Sequence, residues 1–203
     1  MQRILLATVA VLAAGLVSAQ SYPNRQVRIV VPFPPGGTSD ILARTIGARL
    51  AGPLGQPVVV ENRPGAGGNI AADHVAKSPP DGYTLIMGTS SLAISQSLYK
   101  KLSYDLIQDF APITQAVNYT NLLVVHPSAG VSNVAELLAL ARAKPGALSY
   151  GTAGNGTPPH MTGELFKAYT GVNILHIPYK GGAPAIADLV AGQIPMMFDN
   201  VPP

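Results

Sequence analysis

The 203-residue chain contains no cysteine, so no disulfide stabilises it, and its stability must come from burial of a hydrophobic core. Only 11% of its residues are charged, which is less than half the share that is usual in soluble domains. The net charge of +3 is small and scattered along the chain, which argues against nucleic acid as a partner. The sequence also lacks internal repeats and heptads, which leaves a compact globular fold as the expectation.

The apolar run near the N-terminus, residues 4–17, is shorter than the roughly 18 residues that a membrane-spanning helix needs. Arg3 precedes this run, and Val17-Ser18-Ala19 follows it as a cleavage site of small residues. This pattern predicts an export signal that is cleaved after Ala19, with an uncleaved membrane anchor as the alternative. Because no cysteine follows, the signal is not of the lipoprotein type. Cleavage would leave a net charge of +2, from 12 basic and 10 acidic residues.

Strand and helix patterns alternate along the first half of the chain. Short β-branched or apolar runs bounded by proline and glycine are typical of buried strands, and apolar residues at helical spacing lie between them. This βαβαβ order predicts a parallel sheet with right-handed crossovers, in which ligands bind outside the carboxyl ends of the strands. The predicted strands are 27–31, 58–60 and 84–87, and the predicted helices are 39–50 and 70–77.

The second half of the chain repeats this architecture after a more polar stretch at 99–110. The sequence therefore predicts an α/β protein of two lobes with a cleft between them. The predicted strands are 113–117, 122–125, 148–150 and 173–177, and the predicted helices are 131–143, 158–169 and 185–191. The predicted domains are a signal peptide at 1–19, a first α/β lobe at 20–103 and a second α/β lobe at 104–203.

The stretch 30–40 joins a predicted strand to a helix through three prolines and two glycines. Thr38, Ser39 and Asp40 follow as candidate N-cap residues. A glycine turn that leads into a helix N-terminus can hold an anion, because the backbone N–H groups and the helix dipole both favour negative charge. The alternative is a connection that binds nothing. Two further loops of small residues, at 65–69 and 88–91, belong on the same edge of the predicted sheet.

The sequence shows no pattern that is typical of a reaction centre. The glycines at 65–68 do not have the spacing of a dinucleotide-binding loop, and no G-x-S-x-G nucleophile motif is present. His160 and Glu164 have a spacing that could share a metal, but the sequence offers no third ligand nearby. We therefore predict no catalytic residue, no metal and no cofactor. An α/β hydrolase or lyase that uses His160 as its base is a less favoured alternative.

The motifs of this chain resemble one known family, the solute receptors of tripartite tricarboxylate transporters, also called Bug-type periplasmic binding proteins. The matching segments run in family order over essentially everything after the signal. They are PFPPGG at 32–37 with Asp40 and Arg44, VENRPGAGGN at 60–69, PDGYTL at 80–85, residues 151–160, and PYKGG at 178–182 with Asp188, Leu189 and Gly192. The resemblance implies a two-lobed type II periplasmic-binding-protein fold and a receptor that is not an enzyme.

The resemblance also implies a binding site, in which main-chain groups and bridging water from two loops hold the ligand carboxylate. Asp40 has two interpretations of equal weight: it accepts a hydrogen bond from a ligand ammonium or a water, or it caps the helix. The implied ligand-binding residues are Phe33, Gly36, Gly37, Thr38 and Asp40 in the first lobe, Thr89 and Ser90 at the rim, and Gly156, Thr157, His160 and Asp199 in the second lobe.

The partners that the resemblance implies are a small carboxylate and the membrane permease subunits of the transporter. The carboxylate could be a dicarboxylate, a tricarboxylate, an amino acid or an aromatic acid, and a monomer is expected. A periplasmic ligand-sensing protein that signals to a membrane sensor is the alternative. The chain ends at Val201-Pro202-Pro203, whereas family members continue. We therefore expect a fragment, truncated at the C-terminus, whose first lobe lacks its C-terminal return.

Overall fold

A computed structural model describes residues 22–200 of the chain. The predicted signal peptide, its cleavage after Ala19 and the last three residues lie outside this range. Within it, none of the helices is both long enough and apolar enough to cross a membrane.

The first sheet has three parallel strands in the order β2-β1-β3. Its central strand is buried because helices cover both faces of a parallel sheet, and Val27, Ile29, Val30 and Val31 are all less than 5% exposed. The elements are β1 (Val27–Val31), α1 (Thr38–Leu54), β2 (Val58–Asn62), α2 (Asn69–Ala76), β3 (Thr84–Ile86) and α3 (Ser90–Leu98). The βαβαβ prediction is confirmed.

The second sheet has four strands in the order β4-β7-β5-β6, with β4 antiparallel to β7 and the other pairs parallel. Its core is built around the fully buried ring of Tyr150, which packs against Met196 and Phe198. The elements are β4 (Asn121–Val125), α4 (Val134–Ala143), β5 (Ser149–Thr152), α5 (Pro158–Thr170), β6 (Leu175–Pro178), α6 (Gly182–Val190) and β7 (Met196–Asn200). The prediction of an α/β protein with two sheets is confirmed.

One predicted strand is wrong, and two elements were not predicted. The strand expected at 113–117 is absent, and residues 99–120 form neither helix nor strand. Ile113 is 75% exposed, and no described strand lies beside it to pair with its backbone groups, which a strand requires. The sequence analysis did not predict α3, whose first turn it treated as a loop, nor β7. β7 pairs with both β4 and β5, so its position depends on distant parts of the chain.

The irregular segment between the two sheets packs on the first of them. Tyr104 is 6% exposed, lies in a cluster with Ala72 and Leu92, and its hydroxyl donates a hydrogen bond to Asn69 Oδ1 at 2.7 Å. The ring of Phe110 meets that of Tyr104 edge to face, with centroids 5.8 Å apart. This packing fastens residues 104–110 to the first sheet, and the boundary predicted at 103/104 stays a prediction.

Packing in the second lobe predicts the effect of adding a single methyl group to α5. Gly163 faces the buried ring of Tyr150, and a Cβ at this position would lie 2.2 Å from Tyr150 Cε2. We expect Gly163→Ala to lower the free energy of unfolding by about 1–3 kcal/mol, because the core has no room for the added carbon. Urea denaturation measures this change.

The matched control is Gly52→Ala, a helical glycine at which an added Cβ would have no neighbour within 4 Å. This change should stabilise the protein by up to about 1 kcal/mol, because alanine has the higher helix propensity. Equal effects of the two substitutions would contradict the packing that we describe around Tyr150.

Candidate functional site

A cavity of about 330 Å³ lies between the two sheets, at the carboxyl ends of their strands. This is the edge at which open α/β sheets bind ligands. The lining residues come from both lobes and fall in short segments within 33–41, 89–91, 157–159, 182–186 and 199–200, with Tyr119 and Ala153 between them.

Four helices begin at this cavity. Helix α1 starts after Gly37, α3 after Thr89, α5 after Thr157 and α6 after Gly181, and each of these helices has residues of its first turn in the lining. A helix N-terminus carries partial positive charge and unpaired N–H donors. Among the residues that the structure describes, no lysine or arginine lines the cavity, and Asp199 is its single charged side chain. The positive field in the cavity therefore comes from the main chain, which suits an anion.

The four N-termini do not offer equal numbers of donors. Pro158 and Pro159 occupy the first two positions of α5, and Pro184 the third position of α6, so these residues have no N–H to give. Helix α1 has no proline in its first turn, where Thr38 and Ser39 line the cavity. Most of the direct N–H donors therefore come from the first lobe.

The loop before α1 is held by the buried carboxylate of Asp40, which is 3% exposed. Its Oδ2 accepts hydrogen bonds from the Gly36 N–H at 2.9 Å and from Arg44 Nε at 3.0 Å. Its Oδ1 accepts from Asn62 Nδ2 at 2.9 Å, and the same Nδ2 also donates to the Phe33 carbonyl at 3.0 Å. Burial alone would raise the pKa of Asp40, but the hydrogen bonds from Arg44, Gly36 and Asn62 outweigh it and lower the pKa to about 2.

The loop before α5 is held by neutral groups. The Thr157 hydroxyl donates to the Gly154 carbonyl at 2.6 Å, and the Gly154 N–H donates to Thr152 Oγ1 at 3.2 Å. The Gly156 N–H donates to His160 Nδ1 at 3.2 Å. An imidazole nitrogen accepts a hydrogen bond only when it carries no proton, so this contact requires a neutral His160.

A second histidine lies against the first behind this loop. The rings of His160 and His176 stack with centroids 4.3 Å apart, and His176 stacks in turn on Tyr150 at 5.0 Å. His176 Nε2 lies 2.7 Å from Thr152 Oγ1. Burial lowers the pKa of both histidines, and the proximity of His160 helps to lower the pKa of His176 to about 4. Both rings are therefore neutral at pH 7.

The structure brings most of the predicted site residues to the cavity. Those in the lining are Phe33, Gly36, Gly37, Thr38, Thr89, Thr157 and Asp199. The others, Asp40, Ser90, Gly156 and His160, are not part of the lining. Asp40 and His160 instead hold the two loops in place. The N-cap residue of α1 is Gly37, so the prediction of Thr38, Ser39 or Asp40 as the N-cap is wrong. Asp40 lies in the first turn and accepts a hydrogen bond from the Gly36 N–H, which precedes the helix. Contact of any of these residues with a ligand stays a prediction.

The lining also contains residues that were not predicted, among them Ser91, Tyr119, Gly182, Ala183 and Asn200. The sequence around Gly182 could have indicated a site residue, because it forms a glycine turn between a strand and a helix, like the other loops of the site. The sequence around Tyr119 gives no such indication, since Tyr119 lies in an irregular segment. Within residues 22–200, no group of three or more His, Asp or Glu side chains is placed to bind a metal ion.

The hydrogen bonds of Asp40 predict a pH-dependent contribution to stability. Its folded pKa of about 2 lies below the usual 3.8, so the contribution is present above pH 3.8 and is lost as the pH falls towards 2. We expect Asp40→Asn to lower the free energy of unfolding at pH 7 by roughly 2 kcal/mol. We also expect the difference from the wild type to shrink below pH 3. Urea denaturation across this range measures both effects.

Asp81→Asn is the control for this change. Asp81 forms an ion pair with Arg25 at 2.7 Å, but its side chain is 37% exposed, compared with 4% for Asp40. Surface ion pairs contribute little, so this substitution should change stability by less than about 1 kcal/mol. If the two substitutions cost the same, Asp40 does not hold the loop in the way that we describe.

The histidine pair predicts a second, separate loss of stability in mild acid. Because the folded pKa of His176, about 4, lies below the usual 6.5, the unfolded chain binds protons first as the pH falls. We expect the free energy of unfolding to fall between pH 6.5 and about 4. His176→Gln should flatten this slope. Denaturation midpoints at pH 7 and pH 5 test this, and equal slopes in the wild type and the variant would refute it.

Comparison with known proteins identifies relatives that match most of this chain. The model of the tripartite tricarboxylate transporter family receptor matches residues 42–203. Protein BugT of Bordetella pertussis is 41% identical over 191 residues, which cover 93% of this chain and 59% of that protein.

Two solved structures have the same fold. An R. palustris protein with adipate is 44% identical, with a TM-score of 0.78, over 88% of this chain and 60% of that one. The periplasmic binding protein BugD is 36% identical, with a TM-score of 0.81, over the same shares of the two chains.

This chain spans between half and two thirds of the length of its first curated relatives, 54% and 59%. The family model nevertheless covers most of the present chain, including the cavity segments from 89 onwards. The resemblance read from the sequence motifs is thereby confirmed, together with the fold that it implied. The chain belongs to the receptors of the tripartite tricarboxylate transporter family.

Proposed function

We propose that this chain is a periplasmic solute receptor that binds a small carboxylate in the cavity between its lobes and delivers it to a membrane permease. The observation that carries this proposal is the convergence of four helix N-termini on a cavity whose described lining contains no lysine or arginine. Main-chain N–H groups and hydroxyls can hold a carboxylate without transforming it.

The size of the cavity supports a small ligand. A volume of about 330 Å³ lies at the lower end of the range for small-molecule sites, roughly 300–1,000 Å³. The related R. palustris protein was solved with adipate, a six-carbon dicarboxylate. We infer that a linear or branched carboxylate of similar size fits here. Membership of a transporter family supports delivery to a permease, and the predicted signal at 1–19 supports export to the periplasm.

The two lobes touch at two places beside the cavity. A Cβ on Gly67, in the first lobe, would lie 2.7 Å from the Asn155 carbonyl oxygen in the second. A Cβ on Gly181, in the second lobe, would lie 2.7 Å from Pro34 Cδ in the first. The loops at 33–40 and 154–160 thus each contact a glycine turn of the opposite lobe beside the cavity.

A thermal melt of the purified protein with a panel of small carboxylates tests the function. We expect at least one of them to raise the melting temperature, because a ligand stabilises only the state that it binds. The amide of the same acid has the same shape without the charge, and we expect it to have no effect. If no carboxylate in the panel raises the melting temperature, the proposal is wrong for this chain.

Gly181→Ala tests whether this contact between the lobes is needed for binding. The added methyl would meet Pro34, so we expect an affinity at least ten times weaker for any carboxylate that the wild type binds. Gly130→Ala is the control for a methyl group added at a glycine with positive φ, here 68°, because an added Cβ there has no neighbour within 4 Å. Isothermal titration calorimetry measures the affinities of both variants. Equal affinities in the two variants would show that this contact does not serve binding.

A further inference from the structure

The loop at 154–157 lines the cavity and also contacts the first lobe. Thr157 lies in the cavity lining and is the N-cap residue of α5. A Cβ on Gly156 would lie 3.1 Å from Leu98 Cδ2, at the end of α3 in the first lobe. A change in the conformation of this loop would therefore alter both the wall of the cavity and the contact between the lobes.

Two imidazole rings hold this loop from within the second lobe. The Gly156 N–H donates directly to His160 Nδ1 at 3.2 Å. The Gly154 N–H donates to Thr152 Oγ1 at 3.2 Å, and that oxygen lies 2.7 Å from His176 Nε2. The two rings stack on each other with centroids 4.3 Å apart. Two N–H groups of the loop thus depend on the histidine pair, one directly and the other through a single hydroxyl.

A proton on His160 is incompatible with this arrangement. A protonated imidazole donates at both of its nitrogens, so Nδ1–H would face the Gly156 N–H and the hydrogen bond between them would be lost. Gly156 is buried, and a buried N–H without an acceptor is costly. The loop therefore has to change its conformation when His160 takes up a proton.

The charges around the pair determine the pH at which this happens. Among the described residues, the groups that act on it are Tyr150, which stacks on His176, and Glu164 and Lys167 of α5. Glu164 accepts from the Tyr150 hydroxyl at 2.7 Å and forms an ion pair with Lys167 at 2.9 Å. Burial lowers the pKa of His160, Glu164 raises it, and Lys167 lowers it again, with burial the largest effect. The pair is therefore neutral at pH 7 and is protonated only in acid.

We infer that the histidine pair is an acid-sensitive latch between the lobes: one proton on His160 breaks its hydrogen bond with Gly156 and releases the loop at 154–157 from Leu98. The contact between the lobes is then present at neutral pH and is lost as the pH falls. On the basis of the proposed function, the same proton weakens the hold on a solute, because Thr157 belongs to the loop. A bound solute opposes protonation of His160 to the same degree, since such coupling is reciprocal.

Nuclear magnetic resonance of the purified protein without any solute tests the latch. Between pH 7.5 and pH 4.5, we expect the hydrogen-exchange protection of the Gly156 N–H, corrected for intrinsic rates, to fall roughly tenfold or more. We also expect the nuclear Overhauser effect between Gly156 Hα and the Leu98 methyl protons to disappear. Protection and contact that are unchanged at pH 4.5 overturn the inference.

The Gly36 N–H is the internal control. Its acceptor, Asp40, has a pKa of about 2 and stays ionised at pH 4.5, so this N–H should keep its protection. An equal loss of protection at Gly36 and Gly156 would mean that the protein opens as a whole, and would also overturn the inference.

His160→Asn identifies the group that takes up the proton. Asparagine Oδ1 can accept from the Gly156 N–H as Nδ1 does, but the amide does not titrate. We expect this variant to keep both the protection of Gly156 and the contact with Leu98 at pH 4.5. If the variant loses them as the wild type does, the imidazole is not responsible and the inference is overturned. If the variant does not fold, the wild-type pH series alone decides. The thermal melt with carboxylates tests the proposed function separately.

Discussion

The buried carboxylate of Asp40 is the constraint on which the binding loop of the first lobe depends. It joins three parts of the chain: the loop at Gly36, the first turns of α1 through Arg44, and the end of β2 through Asn62. Asn62 also holds the Phe33 carbonyl, so both ends of the loop are fixed to the same carboxylate. A loop held in this way has its N–H groups in place before a ligand arrives, which lowers the entropic cost of binding.

The two lobes use different chemistry for the same task. In the first lobe the loop is fixed by charge-assisted hydrogen bonds to an ionised Asp40, whereas in the second it depends on hydroxyl groups and on neutral imidazoles. Charge-assisted bonds are the stronger kind. Protonation of His160 would remove its acceptor for the Gly156 N–H, while Asp40 keeps its charge to a far lower pH. The second lobe is therefore the one whose loop responds first to acid.

The sequence alone predicted those parts of the site that local chemistry determines. Proline and glycine mark the ends of β1 and β5, and the helices that follow begin close to where the pattern places them. Gly36 and Gly37 could therefore be assigned to the edge of the first sheet, whereas Thr157 was implied only by the family resemblance. Parts that depend on distant partners were missed. No proline or glycine immediately precedes helix α3, and β7 lies between β4 and β5, which come earlier in the chain. Tyr119 lines the cavity from a segment with no regular structure. The structural role of Asp40 also required the position of Asn62, which follows only from strand pairing.

A cavity that attracts an anion without lysine or arginine has a consequence for release. The field of a helix terminus falls off within about one turn, whereas a cationic side chain can follow its ligand on a flexible stem. The N-termini that face this cavity belong to both lobes, with α1 and α3 in the first and α5 and α6 in the second. Separation of the lobes would therefore remove the contribution of α5 and α6 from a ligand that stays on the first lobe. In a receptor of the kind proposed, opening the lobes then weakens the hold on the solute without the movement of any cationic side chain.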